Sequence, residues 1–240
     1  MRFISFIDKQ GAAAWGVRAG EGVVESQRLG AAMSTTLPAT LPATLQGLIE
    51  ACNADPALLA QMAAAAAAQA ATPLRVPRIS SALDFEAELA VVIGLRARFV
   101  AEADALQHVF AYACFNDASL RDYQRKTTQW TIGKNFDATG GFGPSLVTAD
   151  ELPPGCLGLH IESRLNGQVM QSASTSDMVF GVARTLSLLS EALTLEPGDV
   201  VVMGTPAGVG YARTPPVWME AGDTIEVEIE GVGLLSNPVL

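Results

Sequence analysis

Two glutamates two residues apart open the most chemically informative stretch of this chain, Asp84-Phe85-Glu86-Ala87-Glu88-Leu89-Ala90-Val91-Val92-Ile93-Gly94. Residues two apart on a strand share a face, so Glu86 and Glu88 point together at the mouth of an apolar strand. Paired carboxylates repel, partial burial raises that cost, and a cation relieves it. On a solvated edge the same pair would be two ordinary surface glutamates, and these residues alone leave both readings open. A second polar stretch, Asn116-Asp117-Ala118-Ser119-Leu120-Arg121-Asp122-Tyr123-Gln124, follows the apolar run from Val109 to Phe115. Asp117 thus falls where a buried strand ends, a common place for site residues. Asn116 or Asp117 could equally cap a helix running through Gln124.

The elements that would position these residues are mostly strands. Short strands are expected from Arg2 to Ile7, Ala12 to Val17 and Gly22 to Glu25, separated by glycines. Leu45 to Ala71 has helical propensity, with a restart at Asp55-Pro56, and Thr72-Pro73 ends it. Asn166-Gly167 joins two alternating segments as a two-residue hairpin turn. Phe180 to Leu193 is a helix candidate. The turns Glu196-Pro197-Gly198-Asp199 and Glu220-Ala221-Gly222-Asp223 feed strands from Val200 to Met203 and from Thr224 to Glu230. In the last of these, apolar and acidic residues alternate strictly, so one face is buried and the other wet. The pattern predicts an α+β chain with a mixed, β-rich body, divided into a small N-terminal β/α domain over 1–73 and a larger domain over 74–240.

Composition removes several function classes. The 240 residues carry a formal charge of -10, with no basic run to track a phosphate backbone, so nucleic acid is not an expected partner. No apolar run is long enough to span a bilayer, and the first residues do not read as a signal peptide; a cytoplasmic protein is expected. Cys52, Cys114 and Cys156 are widely spaced and read as buried thiols. A Gly-x-Ser-x-Gly elbow is absent. Gly133-Lys134-Asn135 fails the P-loop pattern, and the glycines from Gly204 to Gly210 fail the dinucleotide fingerprint. Only His108 and His160 occur, neither in a metal-ligand spacing. The charged fraction, 17%, is low and points to buried subunit contacts.

The two polar stretches resemble the paired-glutamate strand and the Asn-Asp-x-Ser-x-Arg-Asp-x-Gln signature of the fumarylacetoacetate hydrolase family. Gly133-Lys134-Asn135-Phe136-Asp137, Gly143-Pro144, Thr175-Ser176-Asp177-Met178, Leu195 to Asp199, Gly204-Thr205-Pro206-Ala207-Gly208-Val209-Gly210 and Gly233 to Val239 match further family segments in order. The resemblance runs from about Leu83 to the C-terminus. It implies a family-type β-roll and a Mg2+ or Mn2+ ion held by Glu86, Glu88 and Asp117, an all-oxygen set suited to a hard cation. It also implies Lys134 as a catalytic cation that stabilises a developing oxyanion, unless it is a surface lysine lying over Phe136. Substrate contacts fall on Arg121, Gln124 and Thr205. Arg121 could alternatively form a structural salt bridge with Asp122 or Glu88.

The implied activity is that of a metal-dependent hydrolase or lyase on a small β-diketo or 2-oxo (di)carboxylic acid, in a homodimer. One family feature is missing. Thr72-Pro73-Leu74 runs almost directly into Arg75-Val76-Pro77, where members carry a strand and an Asn-Tyr-x-x-His-type segment that supplies a water-activating histidine. The alternative expectation is therefore a catalytically impaired protein that binds metal and oxo acids without turnover.

Overall fold

A computed structural model describes residues 73–240 in full, together with the backbone of 2–7, 13–19 and 22–25. The expected helix from Leu45 to Ala71 lies outside the described residues. The N-terminal strands are β1 (Arg2–Ile7), β2 (Ala13–Ala19) and β3 (Gly22–Glu25). They are followed by β4 (Leu83–Asp84), β5 (Ala87–Ile93), β6 (Val109–Asn116), β7 (Ser119–Leu120) and β8 (Gly141–Thr148). After these come β9 (His160–Leu165), β10 (Gln168–Ser174), β11 (Val200–Val202), β12 (Thr224–Ile229) and β13 (Gly233–Pro238). Two α-helices are described, the single turn α1 (Arg121–Gln124) and α2 (Val182–Ala192).

Seven strands form one sheet in the order β11-β5-β6-β8-β1-β2-β3, and four form a second, β10-β9-β12-β13. Every ladder is antiparallel. The expected β-rich body is present. β1 pairs with β8 through Arg2↔Val147 and Phe3↔Leu146, so the N-terminal strands continue the larger sheet.

The two sheets face each other across one core. Leu89, Val91 and Ile93 of β5 and Tyr112 and Cys114 of β6 pack with Ile161 of β9 and Val227 and Ile229 of β12. β12 shows the expected alternation, with Ile225, Val227 and Ile229 buried and Glu228 exposed. β5 is buried along its whole length, which explains its continuous apolar run. The β9–β10 turn is the expected one, with φ of 52° at Asn166 and 79° at Gly167, as a type I′ hairpin requires. β8 was not foreseen. Its run Gly-Phe-Gly-Pro-Ser-Leu-Val-Thr carries glycines and a proline that weaken any strand signal, and long-range pairing with β6 and β1 overrides them.

A smaller cluster, with Leu74, Leu83, Phe85, Leu120, Met219, Ile225 and Val239, lies beneath the β4–β7 pair. It anchors Leu83 and Phe85, which flank Asp84 just before Glu86.

The antiparallel arrangement decides where chemistry can occur. β5 lies between β6 and β11 and runs against both, so the C-terminal ends of β6 and β11 meet the N-terminal end of β5. Replacing Leu89 with Ala removes a fully buried side chain from the shared core. Urea denaturation should show a loss of about 2–5 kcal/mol; a loss below about 1 kcal/mol would mean that β5 is not the centre of this core.

Candidate metal centre and active site

Glu86 precedes the first residue of β5, and Glu88 lies within it. The β5–β6 ladder closes with Ala87↔Asn116, and the Asp117 amide then donates to the Glu86 carbonyl at 3.0 Å. On the other flank Met203 N–H bonds the Leu89 carbonyl, and the next amide, Gly204, donates to Glu88 Oε2 at 2.7 Å. One carboxylate oxygen from each of Glu86, Glu88 and Asp117 lies within 4.8 Å of the others. The three residues expected to share a cation are thus brought together.

Lys134 enters this cluster. Its ammonium donates to Glu86 Oε2 at 2.7 Å, to Asp117 and to Ser119 Oγ at 3.0 Å. The alternative of a surface lysine lying over Phe136 is not realised. Gly133 makes the approach possible: a Cβ there would fall 2.6 Å from the Gln124 backbone, so only glycine lets the Trp130–Lys134 turn press against α1.

Arg121 is 7% exposed and joins Glu86 Oε1 at 2.7 Å through Nη1 and Asp84 Oδ2 at 2.8 Å through Nε. These partners replace the Asp122 or Glu88 salt bridge considered from the sequence. Its Nη2 is buried without a partner. Gln124 Oε1 accepts from Arg121 Nη1 at 3.1 Å. The helix-cap alternative for Asn116 and Asp117 also fails. Leu120 occupies the cap position of α1, without a side-chain bond, and Asn116 Oδ1 accepts from the Glu86 amide.

Two residues with no role assigned from the sequence hold the site together. Asp84, fully buried, accepts from Phe85 N and Gly210 N at Oδ1 and from Tyr211 N and Arg121 Nε at Oδ2. It ties the paired-glutamate stretch, α1 and the glycine-rich loop to one point. Its place two residues before Glu86 was the available signal. Gln171 of β10 donates to Thr205 Oγ1 at 2.7 Å and the Pro206 carbonyl at 2.8 Å, while its own oxygen accepts from Ala87 N and Ser163 Oγ. Nothing in its sequence context marked it. Thr205 Oγ1 donates to the Ala87 carbonyl at 2.9 Å, so its proton is committed and toward a ligand it can act as an acceptor.

Electrostatically the cluster is short of positive charge. Asp84, Glu86, Glu88 and Asp117 face Arg121 and Lys134, four carboxylates against two cations. Burial pushes the Glu88 carboxyl up to about 7; the Gly204 amide opposes this, and the charges of Asp117 and Glu86 reinforce it. Burial also raises Asp117, against the hydrogen bond from Lys134. Lys134 is held above the usual lysine value: burial disfavours its charge, but Asp117 and Glu86 outweigh that cost.

A divalent ion fits these residues. The donors are hard oxygens, the deficit is two charges, and the Lys134 ammonium already stands between two of the carboxylates as a monovalent substitute. The cluster forms the floor of an open cleft of about 580 Å3, which Gln124, Arg125, Trp130, Thr205 and Tyr211 also line.

This chain is similar to known proteins in sequence and in fold. The fumarylacetoacetate (FAA) hydrolase C-terminal family model matches residues 49–240. The oxaloacetate tautomerase fahd2, mitochondrial, of Xenopus laevis is 44% identical over 171 residues, which cover 70% of this chain and 53% of that one. The chain spans about half the length of the curated relatives it matches. Among solved structures, fumarylpyruvate hydrolase from Pseudomonas aeruginosa, in complex with Mn2+ and pyruvate, superposes with a TM-score of 0.64 at 31% identity, over 71% of each chain. Fumarylacetoacetate hydrolase from Exiguobacterium antarcticum gives a TM-score of 0.76 at 29% identity, over 100% of this chain and 99% of that one. With the family model covering most of its length and its paired glutamates, Asp117 and Lys134 in one cleft, this chain belongs to the fumarylacetoacetate hydrolase family.

Proposed function

We propose that this chain performs divalent-metal-dependent enolate chemistry on a small 2-oxo or β-diketo carboxylic acid, with keto–enol tautomerisation or isomerisation favoured over C–C hydrolysis or decarboxylation. The carrying observation is the cluster of Glu86, Glu88 and Asp117 beside Lys134. Relatives named for oxaloacetate tautomerisation and fumarylpyruvate hydrolysis, the latter with Mn2+ and pyruvate bound, support the substrate class.

Held by Glu86, Glu88 and Asp117, Mg2+ or Mn2+ would supply Lewis-acid polarisation of adjacent oxo and carboxylate oxygens. Arg121, fixed by Asp84 and Glu86, keeps Nη2 as a donor for the substrate carboxylate. Gln124 commits its oxygen to Arg121 and offers its NH2 group to the cleft. Lys134, which lines the cleft beside the metal ligands and donates to Ser119 Oγ, is placed to act as a cation for the enolate oxygen.

C–C hydrolysis would further need a group to activate water. The two histidines are occupied elsewhere: His108 contacts the Leu95 carbonyl, His160 pairs with Ser172, and neither lines the cleft. The lack of such a group among the described cleft residues favours a proton shift over water attack, because a keto–enol shift uses no nucleophilic water and solvent in the open cleft can carry the proton from carbon to oxygen. It also favours a second reading, a metal- and oxo-acid-binding protein without turnover.

A homodimer is part of the proposal. β11 is the outer strand of the described sheet, with Val200 and Val202 exposed, and Val179 and Phe180 are exposed beside the Met203 that follows it. A bare apolar edge of this kind invites pairing with a second chain.

Three outcomes test these assignments. First, the folded chain retains a proton on Glu88 between its ordinary value of 4.5 and about 7. The unfolded chain has released that proton, so metal-free stability falls as pH rises through this window. In EDTA the urea midpoint should drop from pH 5 to 7.5 more in wild type than in Glu88→Gln, and Mn2+ affinity should climb over the same range. Equal slopes in the two proteins would count against the buried, proton-competing ligand. Second, Lys134→Met should lower kcat on an acylpyruvate or oxaloacetate by about a hundredfold to a thousandfold. Mn2+ should bind it at least as tightly, because a competing cation has left Glu86 and Asp117. Normal turnover would remove Lys134 from the mechanism, and metal-dependent oxo-acid binding without wild-type turnover would favour the second reading. Third, light scattering should give twice the 25.1 kDa chain mass; a monomer at micromolar concentration would refute the dimer.

A further inference from the structure

From the outer part of the cleft we infer a second anionic subsite, formed by Arg125 with Tyr211 and Trp130, that selects 2-oxo dicarboxylic acids over 2-oxo monocarboxylic acids. The inference rests on the oxo-acid reading above and specifies its substrate class.

Arg125 follows α1, one residue beyond Gln124, and lines the same cleft as Glu86, Glu88 and Asp117. Its guanidinium carbon lies 3.7 Å from the centroid of the Tyr211 ring, a stacking contact that holds the planar group in place while its edge N–H groups stay open. Among the described residues no carboxylate pairs with Arg125, whereas Arg96 and Arg184 each pair with one, Arg121 with two and Arg164 with three, and Arg98 and Arg213 donate to backbone carbonyls. An arginine fixed by an aromatic face and left without an anion is suited to bidentate recognition of a carboxylate.

Charge balance gives this arginine its significance. With a divalent ion, the inner carboxylates and cations cancel. Arg125 is then the one uncompensated charge among the described cleft residues. The first carboxylate of an oxo acid belongs at the inner cluster, where the spare Arg121 N–H lies. A second carboxylate on the same molecule meets a matching charge at Arg125, and a monocarboxylic acid leaves that charge unmatched.

The fold couples the two ends. Asp84 accepts from both Arg121 and the Tyr211 amide, so the inner donor and the ring beneath Arg125 hang from one buried carboxylate. The close contact of Gly133 with Gln124 brings the turn bearing Lys134 and the exposed Trp130 against α1. Trp130 thereby lines the same cleft as Arg125 and Tyr211.

The test compares oxaloacetate with pyruvate, which share the 2-oxo carboxylate head and differ by one carboxylate. Dissociation constants are measured by tryptophan fluorescence on the Mg2+-loaded full chain. Wild type should bind oxaloacetate more tightly than pyruvate. Arg125→Met should weaken oxaloacetate binding by about 10–100-fold, the loss of a charge-assisted hydrogen-bond pair, and leave pyruvate nearly unchanged. Arg125→Lys should keep part of the preference, and Arg125→Gln, which retains polarity without charge, should lose it. If the Met and Gln variants weaken both acids equally, or neither, while wild type binds both, the subsite is overturned and the oxo-acid reading stands. If Mg2+-loaded wild type binds neither acid, the oxo-acid reading fails and the subsite fails with it.

Discussion

The burial of unbalanced negative charge at the N-terminal end of β5 is the constraint on which the rest of the site depends. Carboxylates are costly to bury unless they are neutralised or hydrogen-bonded. Here four of them lie together, and Asp84, Glu86 and Asp117 share two cations, Arg121 and Lys134, while Glu88 pairs with neither. The arrangement is tolerated in the metal-free chain because Glu88 can keep its proton to about pH 7. A structural network would have no reason to leave that deficit. A site that takes up a doubly charged ion requires it, and perturbed carboxylates in a cleft are a general mark of such sites.

Antiparallel topology delivers these groups without long excursions of the chain. β5 supplies Glu86 and Glu88 where it begins, β6 supplies Asp117 just beyond its end, and β11 brings Gly204 and Thr205 just beyond its own end. Register fixes the rest. A shift of one residue between β5 and β6 would turn the glutamates to the opposite face, and the bonds from the Glu86 amide to Asn116 Oδ1 and from the Asp117 amide to the Glu86 carbonyl hold the register at this end. Two glycines then permit close packing, Gly133 against Gln124 and Gly210 against Asp84, where a Cβ would lie 2.7 Å from the Asp84 carboxylate.

The sequence showed most of the strands because their signals are local. The alternation from Thr224 to Ile229, the Asn166-Gly167 turn and the apolar run of β5 each state their own conformation. β8 was hidden because glycine and proline interrupt it and its stability comes from partners distant in the chain. At the site, the grouping of Glu86, Glu88, Asp117 and Lys134 was legible from spacing combined with family resemblance. The partners of Arg121 were not, since Asp84 and Glu86 reach it only after β4 and β7 pair. Gln171 was illegible for the same reason: it lies in a different sheet from Glu88 and reaches Thr205 across the interface between them.

The structure also separates acidic residues that the sequence presents as equivalents. Asp84, Glu86 and Glu88 alternate along one stretch, yet Asp84 accepts four hydrogen bonds, two at each oxygen, from three amides and a guanidinium. Its lone pairs are occupied, so it is an anchor and has no capacity left to bind a cation. Glu88 accepts from the Gly204 amide and forms no salt bridge with a described residue. Glu86 divides its oxygens between Arg121 and Lys134, and Lys134 is the partner that a stronger cation would displace. The number of donors already committed to each oxygen, more than acidity or position, decides which carboxylates remain available to a metal ion.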